Sequence, residues 1–379
     1  MTEKTIYEIR DNVAVIILNA PPINSLGSEM RKAISDNFNK ATSNINVDAI
    51  VIGSTGKLFC AGADINEFGS DMAYARPFLP ELLETLEESS KPIIAAINGA
   101  ALGGGLELAL VCDYRIALPK AKVGLPEVNL GILPGAGGTQ RLPRLAGAEL
   151  AVEMIVSGRP VSAKQALAGG IVDRVYDGDG DFVKAAINYA RELVETGAPV
   201  RSCAELAVDT SNLPENFFDD FRKNIARRTR GFFAPERCIQ SVEAACELPL
   251  KEGLAREAEL FNECMNTSQA RAQQHIFFAE RAANRIPGVN HKTPVRPINK
   301  VAIIGSGTMG GGIGNKPSMT CRSLWHMPLA AVRTNTSRPF GLLMSISSIT
   351  SGVLISLNTA AFMGFSLLYP DRGLTPSVA

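Results

Sequence analysis

The stretch Ala101-Leu-Gly-Gly-Gly-Leu-Glu-Leu-Ala-Leu110 decides how this chain is read. Three glycines run into an apolar segment that reads as a helix. A helix opening after such a run leaves its first N–H groups without intrahelical partners. Its dipole makes that spot favourable for negative charge. Glu107 stands one turn inside. Alone it is an ordinary first-turn glutamate, and its meaning comes from its surroundings.

Three further features flank it in order. Phe59-Cys-Ala-Gly-Ala-Asp64 offers small residues that let a backbone approach a ligand closely. Asp64 is expected to cap the following turn, and Cys60 to be a small core residue. Gly124-Leu-Pro-Glu-Val128 sets Glu127 on a rigid loop. Gly131-Ile-Leu-Pro-Gly-Ala-Gly-Gly-Thr139 is a flexible loop leading into a helix. Around these features strands and helices alternate from residue 1 to about 198. Paired strands are expected at 5–10 and 13–18 around an Asp-Asn turn. Helices are expected at 28–42, 73–88 and 181–196, and as two short pieces within 143–167. Buried strands are expected at 49–53 and 92–97, and further strands at 114–117 and 172–176. That order implies an α/β domain.

Composition narrows the chemistry. The chain has 379 residues, room for two or more domains. Lys plus Arg and Asp plus Glu both number 38, so zero net charge gives no general pull toward nucleic acid or anionic membrane. The 7 cysteines form no C-x-x-C pair, and their odd number fits a reduced compartment better than a disulfide framework. The three histidines, His275, His291 and His326, are far apart in sequence. No zinc site or Ser-His-Asp triad is expected, and acid–base work before residue 270 falls to carboxylates, lysines or tyrosines. No apolar or Arg-rich presequence is expected from the N-terminal residues.

Together the four features resemble the crotonase (enoyl-CoA hydratase/isomerase) superfamily, over roughly residues 1–200. The resemblance implies a ββα spiral in domain 1–198. It places Glu107 and Glu127 on the family's two catalytic glutamates. It places Ala61 and Gly104 on the two amide donors of an oxyanion hole. It sets Ala61, Gly62, Ala63 and Asp64 along a CoA thioester. The implied reaction is hydration of trans-2-enoyl-CoA in fatty-acid β-oxidation, with Δ3-Δ2 isomerisation as a companion. The implied partner is an acyl-CoA thioester, and hydration needs no metal or redox cofactor. The alternative is a CoA-thioester-binding protein left inactive by truncation.

Residues 199–285 mix charge with phenylalanine and read as a helical extension, with helices at 244–264 and 268–283. Residues 286–299 read as a Pro- and Gly-punctuated linker. Lys300-Val-Ala-Ile-Ile304 then reads as a strand leading into Gly305, Gly307 and Gly310, the opening of a Rossmann domain. Arg230-Gly-Phe-Phe-Ala-Pro-Glu-Arg237 and this strand resemble the peroxisomal bifunctional family, which joins a hydratase to an NAD-dependent 3-hydroxyacyl-CoA dehydrogenase. The Rossmann pattern is incomplete: Pro317 interrupts the helix, and no Asp or Glu lies between Arg281 and Pro370 to hold a ribose. NAD binding at residues 300–313 is therefore not expected. Residues 314–379 are expected to be a divergent, disordered tail. The run from Pro339 to Pro370 carries no charge, but its Ser, Thr and Gly content argues against a membrane span. The resemblance implies a peroxisomal location, although the C-terminus lacks a peroxisomal signal. Nothing in the sequence fixes an oligomeric state.

Overall fold

A computed structural model describes residues 3–67, 70–283, 286, 288–289, 293–294, 301–304 and 353–356. The chain divides into two compact units, Met1–Arg285 and Ile286–Ala379.

The first unit begins with β1 (Thr5–Arg10) and β2 (Val13–Leu18), an antiparallel hairpin in which Arg10 faces Val13. Its two turn residues, Asp11 and Asn12, take φ of 50° and 63°. A two-residue hairpin turn needs that left-handed backbone, and Asn and Asp tolerate it best among residues with a side chain. The chain continues through α1 (Ser28–Ser43), β3 (Ala49–Ser54), α2 (Leu79–Glu87), β4 (Ile93–Ile97), β5 (Ala100–Leu102), α3 (Gly104–Leu110), β6 (Tyr114–Ala117) and β7 (Lys122–Gly124). Next come α4 (Gly138–Ala146), α5 (Ala148–Ser157), β8 (Val161–Ser162), α6 (Ala163–Ala168), β9 (Arg174–Val175) and α7 (Phe182–Glu195). Four helices complete the unit: α8 (Phe217–Ile225), α9 (Ala234–Glu247), α10 (Leu250–Met265) and α11 (Ser268–Ala283).

The main sheet has the order β1-β2-β3-β4-β6-β9, and every pair after the first is parallel. A smaller sheet has the order β5-β7-β8. Strand β2 is buried at all six positions because the main sheet is covered on both faces. Ala14, Ile16 and Leu18 enter the large core with α1 to α3, while Val13, Val15 and Ile17 pack in a second cluster with Ala186, Ile187 and Ala190 of α7. The period of two along a strand produces that division.

Several expected elements change shape. The helix expected at 73–88 is a 3-10 turn, Asp71–Tyr74, followed by α2. Pro77 separates them, since the residue before a proline is driven out of the helical region. The single helix expected at 244–264 is two helices, with Pro249 as the N-cap of α10. The region 143–167 holds parts of three helices, and Pro143 lies inside α4 rather than opening a helix. The small sheet was not anticipated: its strands are two or three residues long, below the length at which alternation is readable.

In the second unit the expected strand after Lys300 is present as β10 (Val301–Ile304). It pairs in parallel with β11 (Val353–Ser356), a strand within the charge-free run and unexpected there. Gly305, Gly307 and Gly310 lie outside the described residues, as does the rest of the anticipated tail. Among the described residues no helix is long and apolar enough to cross a membrane.

Candidate active site

Helix α3 starts at Gly104, directly after β5, so the glycine run becomes the bend between a strand of the small sheet and the helix. Gly103 takes φ +53°, and a Cβ there would stand 2.6 Å from Glu127 Oε1. Glycine is therefore required at 103 both by its backbone and by the carboxylate resting on it. Four residues on, Glu107 is only 3% exposed. Its Oε1 accepts the amides of Ala136 at 2.8 Å and Gly138 at 2.9 Å. The glycine-rich loop thus serves to cradle the first glutamate.

Glu127 opens a 3-10 turn, Glu127–Leu130, after β7. The residue is half-buried, yet its Oε2 is shut off from solvent and has no hydrogen-bond partner. Burial pushes both carboxyl groups above the ordinary carboxylate range. The two environments then diverge. The amides of Ala136 and Gly138 and the Arg141 charge pull Glu107 back toward its anionic form. Glu127 is lowered only by its own backbone amide, and the negative charges of Glu107 and Glu257 raise it further. The pair is unequal: both carboxyl groups are raised, Glu127 the further of the two.

Cys60 bridges to Ala101 of β5, which draws the segment 60–64 against the start of α3. A Cβ on Gly104 would lie 3.1 Å from Ala63 N, and one on Gly62 would lie 3.2 Å from Gly104 N. Among the described residues the Ala63 and Gly104 amides have no hydrogen-bond partner. Ala61 is a correction. Its amide donates to the Ile23 carbonyl at 2.9 Å and so is not free to bind an oxyanion. Gly62 takes φ +101°, and the free amide adjoining Gly104 belongs to Ala63, on the far side of it. Asp64 is a cap: its Oδ1 accepts from Asn66 N at 3.0 Å.

One carboxylate escaped the sequence reading. Glu257 of α10 is 2% exposed and accepts from the amides of Gly137 at 2.6 Å and Thr139 at 2.9 Å, and from the Thr139 hydroxyl. A signal was present. The buried positions of α10 are Leu250, Gly253, Glu257, Leu260 and Cys264, so Glu257 interrupts an apolar stripe at helical spacing.

Comparison with known proteins follows the same lines. A family model described as enoyl-CoA hydratase/isomerase matches residues 8–216. The peroxisomal bifunctional enzyme of Danio rerio is 45% identical over 316 residues, which is 81% of this chain and 43% of that protein. The glyoxysomal fatty acid beta-oxidation multifunctional protein of Brassica napus is 38% identical over 317 residues, 80% of this chain and 43% of that protein. The chain thus spans less than half the length of these curated relatives. Among solved structures, a carnitinyl-CoA hydratase from Mycobacterium avium aligns with a TM-score of 0.53 at 29% identity, covering 74% of this chain and 97% of that one.

Proposed function

The chain belongs to the enoyl-CoA hydratase/isomerase family and has the crotonase fold, and from that premise we propose that it hydrates trans-2-enoyl-CoA to 3-hydroxyacyl-CoA. The observation that carries the reading is the unequal pair Glu107 and Glu127 beside two unpartnered amides. The thioester carbonyl accepts from the amides of Ala63 and Gly104. Polarising it draws electron density from C3, where water attacks. Glu107 takes a proton from that water as the C–O bond forms. The resulting enolate is held by the same two amides, each worth about 3 kcal/mol of barrier where such donors have been removed. Glu127 then protonates C2. Hydroxyl at C3 and hydrogen at C2 together account for one water once the proton that Glu107 took passes back to Glu127, and no cofactor takes part.

Isomerisation of a Δ3-enoyl-CoA to the Δ2 form needs one group to move a proton between C2 and C4. Glu127, with an unpartnered oxygen and a raised proton affinity, supports that companion activity. The names of the relatives support a place in peroxisomal fatty-acid β-oxidation. The dehydrogenase step expected of the bifunctional relatives is not part of this proposal, because its glycine loop lies outside the described residues.

The test is the loss of enoyl-thioester absorbance when the full chain meets crotonyl-CoA. Turnover that vanishes in Glu107→Gln supports hydration. Tight binding without turnover in the unaltered chain would instead support a non-catalytic thioester-binding protein.

A further inference from the structure

The four amides from Ala136 to Thr139 are shared out in alternation. Ala136 and Gly138 donate to Glu107, and Gly137 and Thr139 to Glu257. The loop is clamped between one carboxylate from α3 and another from α10. The network behind it continues: Thr139 Oγ1 lies 2.6 Å from Ser241 Oγ, and Gln140 Nε2 donates to Ser241 O at 2.7 Å. Both Ser241 and Glu257 come from the helical extension.

We infer that Glu257 is a positioning residue for the hydration step, fixing from behind the loop whose other amides hold Glu107, so that the helical extension completes the active site. This rests on the reading of Glu107 as the base toward water. A plain cap of α4 would account for an anion at that helix end. It would not account for a side chain more than a hundred residues away, placed in an apolar stripe, that meets the alternate amides of the loop serving Glu107. Each of the four N–H groups has one carboxylate acceptor, so displacing Glu257 frees two of them and lets the loop swing. A misplacement of about 1 Å can cost on the order of 100-fold in rate.

Glu257 is also placed to titrate. Burial, then the charge of Glu107, raises it to about 8, against the donors of Thr139 and Gly137. The charged and titratable groups around it are Glu107 on α3, Glu127 on the 3-10 turn, Arg141 on α4 and Cys238 on α9. A cavity of about 320 Å³, bordered also by Glu84 of α2 and Lys251 of α10, reaches Glu257. While Glu257 is neutral it adds no charge beside Glu107. Once ionised it sets a further negative charge beside a site in which an enolate must form, and so opposes the reaction.

The experiment measures kcat and KM for crotonyl-CoA from about pH 6 to 10, on the full chain and on Glu257→Gln, Thr139→Val and Glu107→Gln. The unaltered chain is expected to lose activity as pH rises through about 8. Glu257→Gln is expected to lower kcat about 10- to 100-fold with KM within about twofold, and to remove that alkaline limb. Thr139→Val keeps the amide and removes only the hydroxyl, and a several-fold lower kcat with a displaced limb is expected. A folded Glu257→Gln with unaltered kcat and the same alkaline limb overturns the inference while leaving the hydration reading intact. If Glu257→Gln does not fold, unchanged kcat and limb in Thr139→Val overturn it equally. An active Glu107→Gln removes the reading of Glu107 as the base, on which the inference rests.

Discussion

Glu107 and Glu257 do the same local work on one loop, yet they belong to regions of opposite legibility. Glu107 sits in the spiral, and its partners, 29 and 31 residues further on, lie in a loop that its own glycines announce. Glu257 sits in the helical extension, and its acceptor role depends on Gly137 and Thr139, 120 and 118 residues away. A site assembled from local turns can be read from sequence, because each turn constrains its own residues. A site completed by a packed helix cannot, because its partners are chosen by the tertiary fold.

That contrast can be broken by substitution. The largest effect is expected at the pair itself. Glu107→Gln should lower kcat on crotonyl-CoA on the order of 1,000-fold, within the range for a general base, while circular dichroism shows the fold retained. Glu127→Gln should cost roughly 100- to 1,000-fold and should also remove any Δ3-Δ2 isomerisation measured with a 3-enoyl-CoA. If Glu127→Gln spared isomerisation, its role as proton carrier would be lost.

Gly103→Ala comes next. It puts a side chain at φ +53° and brings Cβ to 2.6 Å from Glu127 Oε1. Destabilisation of more than about 1 kcal/mol is expected in urea unfolding, together with lower kcat. Normal stability with reduced kcat would mean that the backbone relaxes and only the carboxylate moves.

Stability should also report the extension. Glu257 is raised in the folded chain to about 8, above its ordinary value of 4.5. Its contribution to stability is therefore fully present below about 4.5 and is lost as pH rises through about 8. Thermal melts at about pH 5 and 9 should show a decline attributable to this group, and Glu257→Gln should flatten it. A decline unchanged by Glu257→Gln would assign it to other groups. The smallest effect is expected for an exposed carboxylate. Asp36 pairs with Lys32 on the surface of α1, and Asp36→Ala should change stability by less than about 0.5 kcal/mol in the same melts.

Most of the spiral was legible. The β1–β2 hairpin, the buried strands and the bend into α3 follow from alternation, apolar runs and glycine placement. What escaped had physical reasons. The small sheet is built from strands too short to show a period. Pro77 and Pro249 break helices whose apolar periodicity carries on across them. The resemblance puts the donor at Ala61, and nothing in a run of small residues tells it from Ala63. Only the Ile23 carbonyl, across the fold, decides which amide of the segment stays free.

The most direct measurement is to incubate the full chain with crotonyl-CoA in water enriched in oxygen-18 and to weigh the product by mass spectrometry. Water added across C2=C3 gives a hydroxyacyl-CoA carrying one heavy oxygen at C3, formed by the unaltered chain and not by Glu107→Gln. Crotonyl-CoA recovered unchanged from active-site-saturating incubations of the unaltered chain would contradict the account.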